Sequence, residues 1–266
     1  GSFNTIGSST TVEAIQEAKN DESVKAIVLR INSPGGSALA SDVILREINL
    51  AKEEKKVVVS MGDYAASGGY YIACNADRIF ANSTTITGSI GVFGLIPNTK
   101  ELLSEKLGIN VDTVNTHKYS DILSGLRKLT KYETSIVQKS VEDIYETFIS
   151  HVSDGRGMSK EIIDSIGQGR VWSGQDALSL GLVDEIGGLE DAINSAADLA
   201  DIEDYSIITL PAKEDIFEEI IGGFSAKNDI QIPEFLGISK EMIDKIEVLY
   251  SGDIIQARIP FFIEIN

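Results

Sequence analysis

Apolar residues follow the chain in two recurring patterns, which together predict an α/β protein. Nearly continuous apolar runs at 24–31 and 56–61 are typical of parallel strands that are buried on both faces. Residues 11–20 and 38–54 instead show the three-to-four-residue spacing of helices that cover a sheet with one apolar face. Because strands and helices alternate along the chain, the pattern predicts an α/β fold.

The alternation continues to about residue 202 and then changes. The further predicted elements, in chain order, are strands at 77–81 and 88–96, a helix at 98–107, a strand at 109–114, a polar loop at 115–129, a long amphipathic helix at about 130–152 and three short helices that end near residue 200. Residues 203–266 carry several glycines and Pro233, and they close in a strand-like tail. We therefore divide the chain into a domain at 1–202 and a C-terminal appendage at 203–266 that packs or assembles.

Composition narrows the classes of function. The chain has 266 residues and a formal charge of −18, from 23 Lys and Arg against 41 Asp and Glu. This balance argues against a nucleic-acid partner, because phosphate binding needs clustered basic residues. No run approaches the roughly 20 apolar residues that a membrane span needs. The single cysteine, Cys74, excludes an intrachain disulfide and reads as a packed thiol.

Two glycine-rich turns each follow a predicted buried strand and precede a predicted helix. The first is the turn 32–36, which ends at Gly36, and the second is 65–69, which contains Ser67 and Gly68. Glycines leave the backbone amides uncovered, and a serine at a helix start meets free N–H groups. The amides of Gly36 and Gly68 could therefore form an oxyanion hole beside the Ser67 hydroxyl, as acyl transfer requires. Either turn alone can be explained by packing, but the pair is much more specific.

A nucleophilic serine also needs a base, and the sequence leaves its identity open. The two histidines are His117, in the polar loop, and His151, in the long predicted helix. For His151 the sequence favours a partly buried, hydrogen-bonded role. A Ser-His-Asp triad is the less favoured alternative. A neutral lysine is the other option, provided that an apolar pocket lowers its pKa. Lys118, Lys128 and Lys131 lie in or near the loop, although each by itself reads as a solvated surface lysine. The serine context is also not the G-x-S-x-G elbow of α/β-hydrolases.

These segments resemble the signal peptide peptidase A (protease IV) family, the serine–lysine peptidases of the Clp-protease and crotonase fold superfamily. The resemblance covers roughly residues 10–200 in order, and its residues are "VKAIVLRINSPGGSALASDVI", "GDYAASGGYYIACNADRIFANSTTITGSIGVFG", "GRGMSKEIID" and "GQGRVWSGQDALSLGLVDEIGGLEDAI". It implies a Clp-protease/crotonase-like fold of repeated strand-strand-helix units. It also implies Ser67 as the nucleophile, with Gly36 and Gly68 as the oxyanion amides.

The chain departs from the family pattern at the general base. The family places a lysine before an aspartate in the loop that precedes the long helix, and Ser120 fills that position here, with Lys118 two residues earlier. Long family members resemble two fused copies, in which the N-terminal copy carries the lysine and the C-terminal copy the nucleophile. This chain resembles the C-terminal copy. We therefore expect its base to come from an N-terminal half, and we expect the first strand of the domain to precede residue 1.

The resemblance also implies a setting for the activity. Family members are anchored in bacterial membranes at the extracytoplasmic or periplasmic face, and they degrade cleaved signal peptides and other short hydrophobic peptides inside ring-shaped oligomers. Residues 86–94 are then a candidate wall of an apolar substrate groove. No cofactor is expected. A metal site is not expected either, because two distant histidines and one cysteine do not match usual ligand spacings.

Two other functions remain open at this stage. A crotonase-like acyl-CoA enzyme would use the same pair of amides without a serine nucleophile, and it would need nearby carboxylates, of which Asp63 is the nearest in sequence. A catalytically silent half that only helps to assemble a ring would explain the missing lysine. The intact turn around Ser67 argues against both.

Overall fold

The computed structural model describes residues 6–211 and the backbone of 255–258. The helices in this part of the chain are α1 (Ser8–Asn20), α2 (Ala38–Lys52), α3 (Gly68–Ala73), α4 (Lys131–Arg156), α5 (Lys160–Ile166), α6 (Gly174–Ser179) and α7 (Leu189–Leu199), with a short π-type helix at Leu102–Lys106. The strands are β1 (Ala26–Ser33), β2 (Gly35–Ser37), β3 (Lys56–Ala66), β4 (Arg78–Ala81), β5 (Ile86–Gly88), β6 (Phe93–Gly94), β7 (Val171–Ser173), β8 (Glu185–Ile186) and β9 (Ile255–Arg258).

The long strand β3 organises the main sheet. It pairs in parallel with β1 on one side and, on the other, with β4 near its start and β5 at its end. The strands β8 and β7 extend this second side, next to β4 and β5 respectively. Because β4 and β5 share one side of β3 at different heights, the sheet curls around its central strand. The end of β3, where Ser67 follows, lies beside β5.

Helices cover both faces of this sheet, as the continuous apolar runs predict. Val57 and Val59 pack in the main core with residues of α1, α2, α3 and α4. Val58 points to the other face, where it packs with Phe80 and with Ala192 of α7. Successive side chains of a strand face opposite sides, so both faces of β3 need apolar residues. The α/β class is thereby confirmed.

The predicted elements fail between β5 and α4. The predicted strand at 88–96 is divided, because β5 ends at Gly88 and β6 holds only Phe93 and Gly94. The predicted strand at 109–114 is wrong: these residues form neither helix nor strand, and Val114 is 98% exposed. Strand propensity reports mainly packing on a pleated surface, and this stretch lies outside any sheet. The predicted helix at 98–107 shrinks to the π-type turn.

Most of the predicted C-terminal appendage lies outside the described residues. Of the predicted appendage at 203–266, only 203–211 and the backbone of β9 belong to the part that the structure describes, so its boundary stays a prediction. Within that same part, none of the helices combines the length and the apolar character that crossing a membrane would require.

The start of α4 is fixed by charged groups. Thr130 and Glu133 form a reciprocal capping box, and the Arg127 guanidinium bridges the Asp121 carboxylate at 2.7 Å and the Glu133 carboxylate at 2.5 Å. The Glu133 side chain is fully buried. Hydrogen bonds from Arg127, followed by those from Thr130, lower the pKa of Glu133 to about 2. This network ties the loop before α4 to the first turn of the helix.

We expect Glu133→Gln to lower the melting temperature at pH 7, because the variant loses one of the two carboxylates that Arg127 bridges. A carboxylate whose pKa is depressed on folding stabilises the protein above its ordinary pKa of 4.5, and this contribution is lost as the pH falls towards about 2. The difference in melting temperature between wild type and variant should therefore shrink over that window. Thermal unfolding followed by circular dichroism measures it, with the exposed Glu105→Gln as control. A difference that stays constant down to pH 2 would contradict the ion pair.

Candidate active site

Ser67 occupies a strained turn between β3 and α3. Its φ of 52° and ψ of −113° lie in a region that residues with a side chain rarely adopt. The backbone holds it there, because the Ser67 N–H donates to the Gly88 carbonyl and the Ser67 carbonyl accepts from the Tyr71 N–H, both at 2.8 Å. The hydroxyl donates to the Gly91 carbonyl at 3.3 Å. The geometry is thus that of a strained strand-to-helix serine turn, although the sequence lacks G-x-S-x-G.

The structure brings the two predicted glycine turns together. Ser33 lies opposite Ala65 in the β1–β3 ladder. A Cβ placed on Gly69 would lie 2.5 Å from the Ser33 carbonyl oxygen, which is closer than real Cβ atoms approach. The glycine at position 69 is therefore required by the close approach of the first turn, and the turns form one site.

The two predicted oxyanion residues lie in different kinds of structure. Gly68 is the first residue of α3 and is buried, and a first-turn N–H has no partner within its own helix. Gly36 does not sit in a simple turn as predicted. It is the middle residue of β2, where it lies opposite Ala257 of β9. The prediction missed this strand because its partner comes from the far end of the chain.

The lysine candidates are all exposed. Lys118, Lys128 and Lys131 lie on the surface, and the Lys118 ammonium lies 5.2 Å from the centre of the Tyr119 ring. A lysine becomes a neutral base through desolvation. None of these three lysines is buried, so none is desolvated. Ser120, at the position of the family lysine, is also exposed, and its hydroxyl donates to a backbone carbonyl at 3.0 Å.

Neither histidine is the hydrogen-bond partner of the Ser67 hydroxyl in the described structure. His117 is exposed in the loop. His151 lies on α4 with its Nε2 3.4 Å from the Asp42 carboxylate, and its ring packs edge-on against Tyr71. This partly buried, paired position agrees with the structural role that the sequence favoured for it.

A cavity of about 350 Å³ adjoins the serine turn. One wall comes from the stretch after β5, and it includes Gly91, the carbonyl partner of Ser67. The opposite wall is a face of α4. The lining residues are Ser89, Gly91, Val92, Phe93, Gln138, Val141, Glu142, Tyr145, Gln168 and Gly169.

The sequence pointed to only part of this cavity. Residues 86–94 were predicted as a groove wall, and Gly91, Val92 and Phe93 do line it. The wall from α4 was missed. Its signal is the helical spacing of Gln138, Val141 or Glu142, and Tyr145, which cannot by itself be told from an ordinary helix face.

Ser89 is the other residue that the sequence analysis missed. It is 1% exposed, has a positive φ of 47° and lines the cavity. Its N–H donates to the Arg170 carbonyl at 2.7 Å. It directly follows Gly88, whose carbonyl holds the Ser67 N–H. No sequence signal separated it from the other serines, because its backbone conformation is set by tertiary contacts.

Other chemistry has less support near this site. Cys74 is buried at the end of α3, and burial raises the pKa of its thiol to about 12, so it remains protonated at neutral pH. Asp63, the carboxylate considered for a crotonase-like enzyme, is exposed on β3. Across the described residues, no group of three or more His, Cys, Asp or Glu side chains could hold a metal ion.

Comparisons relate this chain to known proteins. The family model described as peptidase family S49 matches residues 49–203. Protease 4 of Haemophilus influenzae is 45% identical over 208 residues, which are 76% of this chain and 34% of that protein. The chloroplastic serine protease SPPA of Arabidopsis thaliana is 36% identical over 251 residues, which are 93% of this chain and 36% of that protein.

The chain therefore spans about a third of the length of these two relatives. Among solved structures, a mutant of ClpP1 from Listeria monocytogenes is similar with a TM-score of 0.48 and 19% sequence identity, covering 70% of this chain and 86% of that one.

Proposed function

Because this chain belongs to peptidase family S49, we propose that it is the nucleophile-bearing part of a serine peptidase. Ser67 is the nucleophile, and the backbone amides of Gly36 and Gly68 form the oxyanion hole. The observation that carries the proposal is the conformation of Ser67. A serine held in a strained backbone conformation between a buried strand and a helix is a costly arrangement, and such strain clusters at functional sites.

The reaction that this geometry supports is acyl transfer. The Ser67 Oγ attacks the carbonyl carbon of a peptide while a base accepts its proton, and the amides stabilise the negative charge on the carbonyl oxygen. The C–N bond then breaks, the base returns the proton to the leaving amine, and the acyl group remains on Ser67. Water releases it in the reverse sequence of proton transfers.

The base is proposed to be a lysine from outside this chain. The exposed positions of Lys118, Lys128 and Lys131 support this view, since none of them is desolvated. The chain also covers only about a third of its long relatives, which leaves room for a second family domain that supplies the lysine. These two observations together support a Ser-Lys pair that is split between two domains.

The proposed substrates are short hydrophobic peptides, including the remnants of cleaved signal peptides. The cavity that includes Gly91, the hydrogen-bond acceptor of Ser67, has apolar lining from Val92, Phe93 and Val141, which suits apolar side chains. By resemblance to the family, the working enzyme is proposed to be a ring-shaped oligomer at the extracytoplasmic face of a bacterial membrane. No cofactor enters this mechanism.

Labelling with a serine-reactive fluorophosphonate tests the proposal. We expect an adduct at Ser67, mapped by mass spectrometry, that forms slowly on this chain alone. Labelling should be at least about 10²-fold faster once a lysine-bearing N-terminal domain is added, because general-base catalysis typically contributes a rate enhancement of that size. Ser67→Ala should abolish the adduct in both preparations. A crotonase-like enzyme would not need this hydroxyl.

The matched control is Ser135→Ala, at an exposed serine of α4 whose hydroxyl bonds only to its own helix in the described contacts. Its labelling should equal that of the wild type. Absence of any adduct at Ser67, even with the N-terminal domain present, would reject the proposed nucleophile and favour a silent scaffold.

A further inference from the structure

The short strand β9 is the middle strand of a second sheet, in the order β2-β9-β6. It runs antiparallel to both neighbours. Ala257 lies opposite Gly36, and Gln256 lies opposite both Ser37 and Phe93. A segment from the far end of the chain thus passes directly along the strand that carries the proposed oxyanion amide of Gly36.

The position of β9 matches the path that an extended peptide would take. A substrate whose carbonyl oxygen accepts from the Gly36 N–H must run beside β2, and backbone pairing with an exposed strand is a common way to hold a peptide. Strand β9 also packs against α3, which begins directly after Ser67. The groove between β2 and β6 is therefore filled where a peptide would have to lie.

The burial of the nucleophile agrees with a filled groove. Ser67 is 0% exposed, so a substrate carbonyl cannot reach its hydroxyl until some neighbouring group moves. Pairing between β9 and its neighbours spans only three residues of β2 and two of β6. Short ladders of this kind open more readily than a core strand such as β3, since few contacts must be lost.

We propose that residues 255–258 are a built-in occupant of the peptide groove and that a peptide substrate binds by displacing them. This inference rests on the proposed function, because the oxyanion role of Gly36 is what places a peptide beside β2. The recognition is by backbone pairing, so displacing peptides need no sequence likeness to β9. The segment acts as a competitive inhibitor in cis, which lowers the apparent affinity of the site for peptides.

The test is peptide binding with the strand weakened. All variants carry Ser67→Ala, so that binding is measured without turnover, and the probe is a fluorescein-labelled decapeptide of alternating leucine and alanine. Gln256→Pro removes a backbone N–H from the middle strand of a sheet, where proline is not tolerated. Gln256→Ala is the matched control because it keeps that N–H. Fluorescence anisotropy gives the Kd, and hydrogen exchange at 35–37 and 93–94 reports the pairing.

We expect the Kd to fall at least tenfold in Gln256→Pro and to stay unchanged in Gln256→Ala, with faster exchange at 35–37 and 93–94 in the proline variant alone. An unlabelled peptide with the sequence of residues 251–262 should then displace the probe from the proline variant. Circular dichroism checks that this variant remains folded.

Other outcomes separate this inference from the function on which it rests. Equal peptide affinity in all variants would reject the proposal that residues 255–258 occupy the groove, but it would not reject the groove as the peptide site. Unchanged protection at 35–37 in Gln256→Pro would overturn that proposal as well. Failure of the probe to bind any variant would instead reject the peptide groove itself, and the occupant would fall with it.

Discussion

Replacing Ser67 by glycine or by alanine is expected to abolish activity, and the glycine variant should be the more stable of the two by about 1 kcal/mol. Loss of the nucleophile should lower peptide hydrolysis by the complete enzyme at least about 10³-fold. The stability difference has another cause. With φ at 52°, alanine keeps the backbone strain of the serine, whereas glycine has no Cβ and releases it.

Chemical denaturation measures the stability difference, and peptide hydrolysis together with fluorophosphonate labelling measures the activity. Ser135→Ala, on the exposed face of α4, is the control for both and should match the wild type. An alanine variant as stable as the glycine variant would show that Ser67 is unstrained in solution. Activity that survives in either variant would remove Ser67 from the mechanism.

Replacing Gly69 by alanine is expected to destabilise the protein by about 3 kcal/mol, as overpacking against fixed backbone does. The new Cβ would lie 2.5 Å from the Ser33 carbonyl oxygen, and Ser33 cannot retreat freely because it pairs with Ala65 in the sheet. The two turns must therefore separate. Labelling of Ser67 should fall about 10²-fold, which is the effect expected when reacting groups are misplaced by roughly 1 Å.

Gly36→Ala is the informative comparison for stability. A Cβ at position 36 would meet nothing within 4 Å, so we expect its free energy of unfolding to stay within about 0.5 kcal/mol of the wild type. Urea denaturation of the two variants measures the contrast. If Gly69→Ala were as stable as Gly36→Ala, the close packing of the two turns would be wrong.

The elements that the sequence predicted well are those whose partners are local or whose pattern is long. Helix α4 begins at Lys131, directly after the cap residue Thr130, and this is next to its predicted start. The prediction succeeds because a capping residue and an amphipathic stripe are both local sequence features. The buried strand β3 was predicted at 56–61, but it extends to Ala66. Its last two residues are alanines, and their pairing with β5 and β1 makes them part of the strand.

The failures share a physical cause, which is dependence on distant partners. The apolar residues of 109–114 suit a strand, yet no sheet edge receives them and they lie exposed. Conversely, Gly35–Ser37 read as a turn, and they become the strand β2 because β9 pairs with them from about 220 positions later in the chain. Local preference is weak for such short segments, so the tertiary partner decides.

By itself the sequence determined the α/β class, the two glycine turns and the choice of Ser67 as the residue of interest, because these depend on residue types at fixed spacing. Only the tertiary structure decided that the turns touch through Gly69 and Ser33, that Ser67 is strained and buried, and that β9 lies along Gly36. Each of these is a contact between residues far apart in the chain, and no local pattern of apolar and polar positions encodes it.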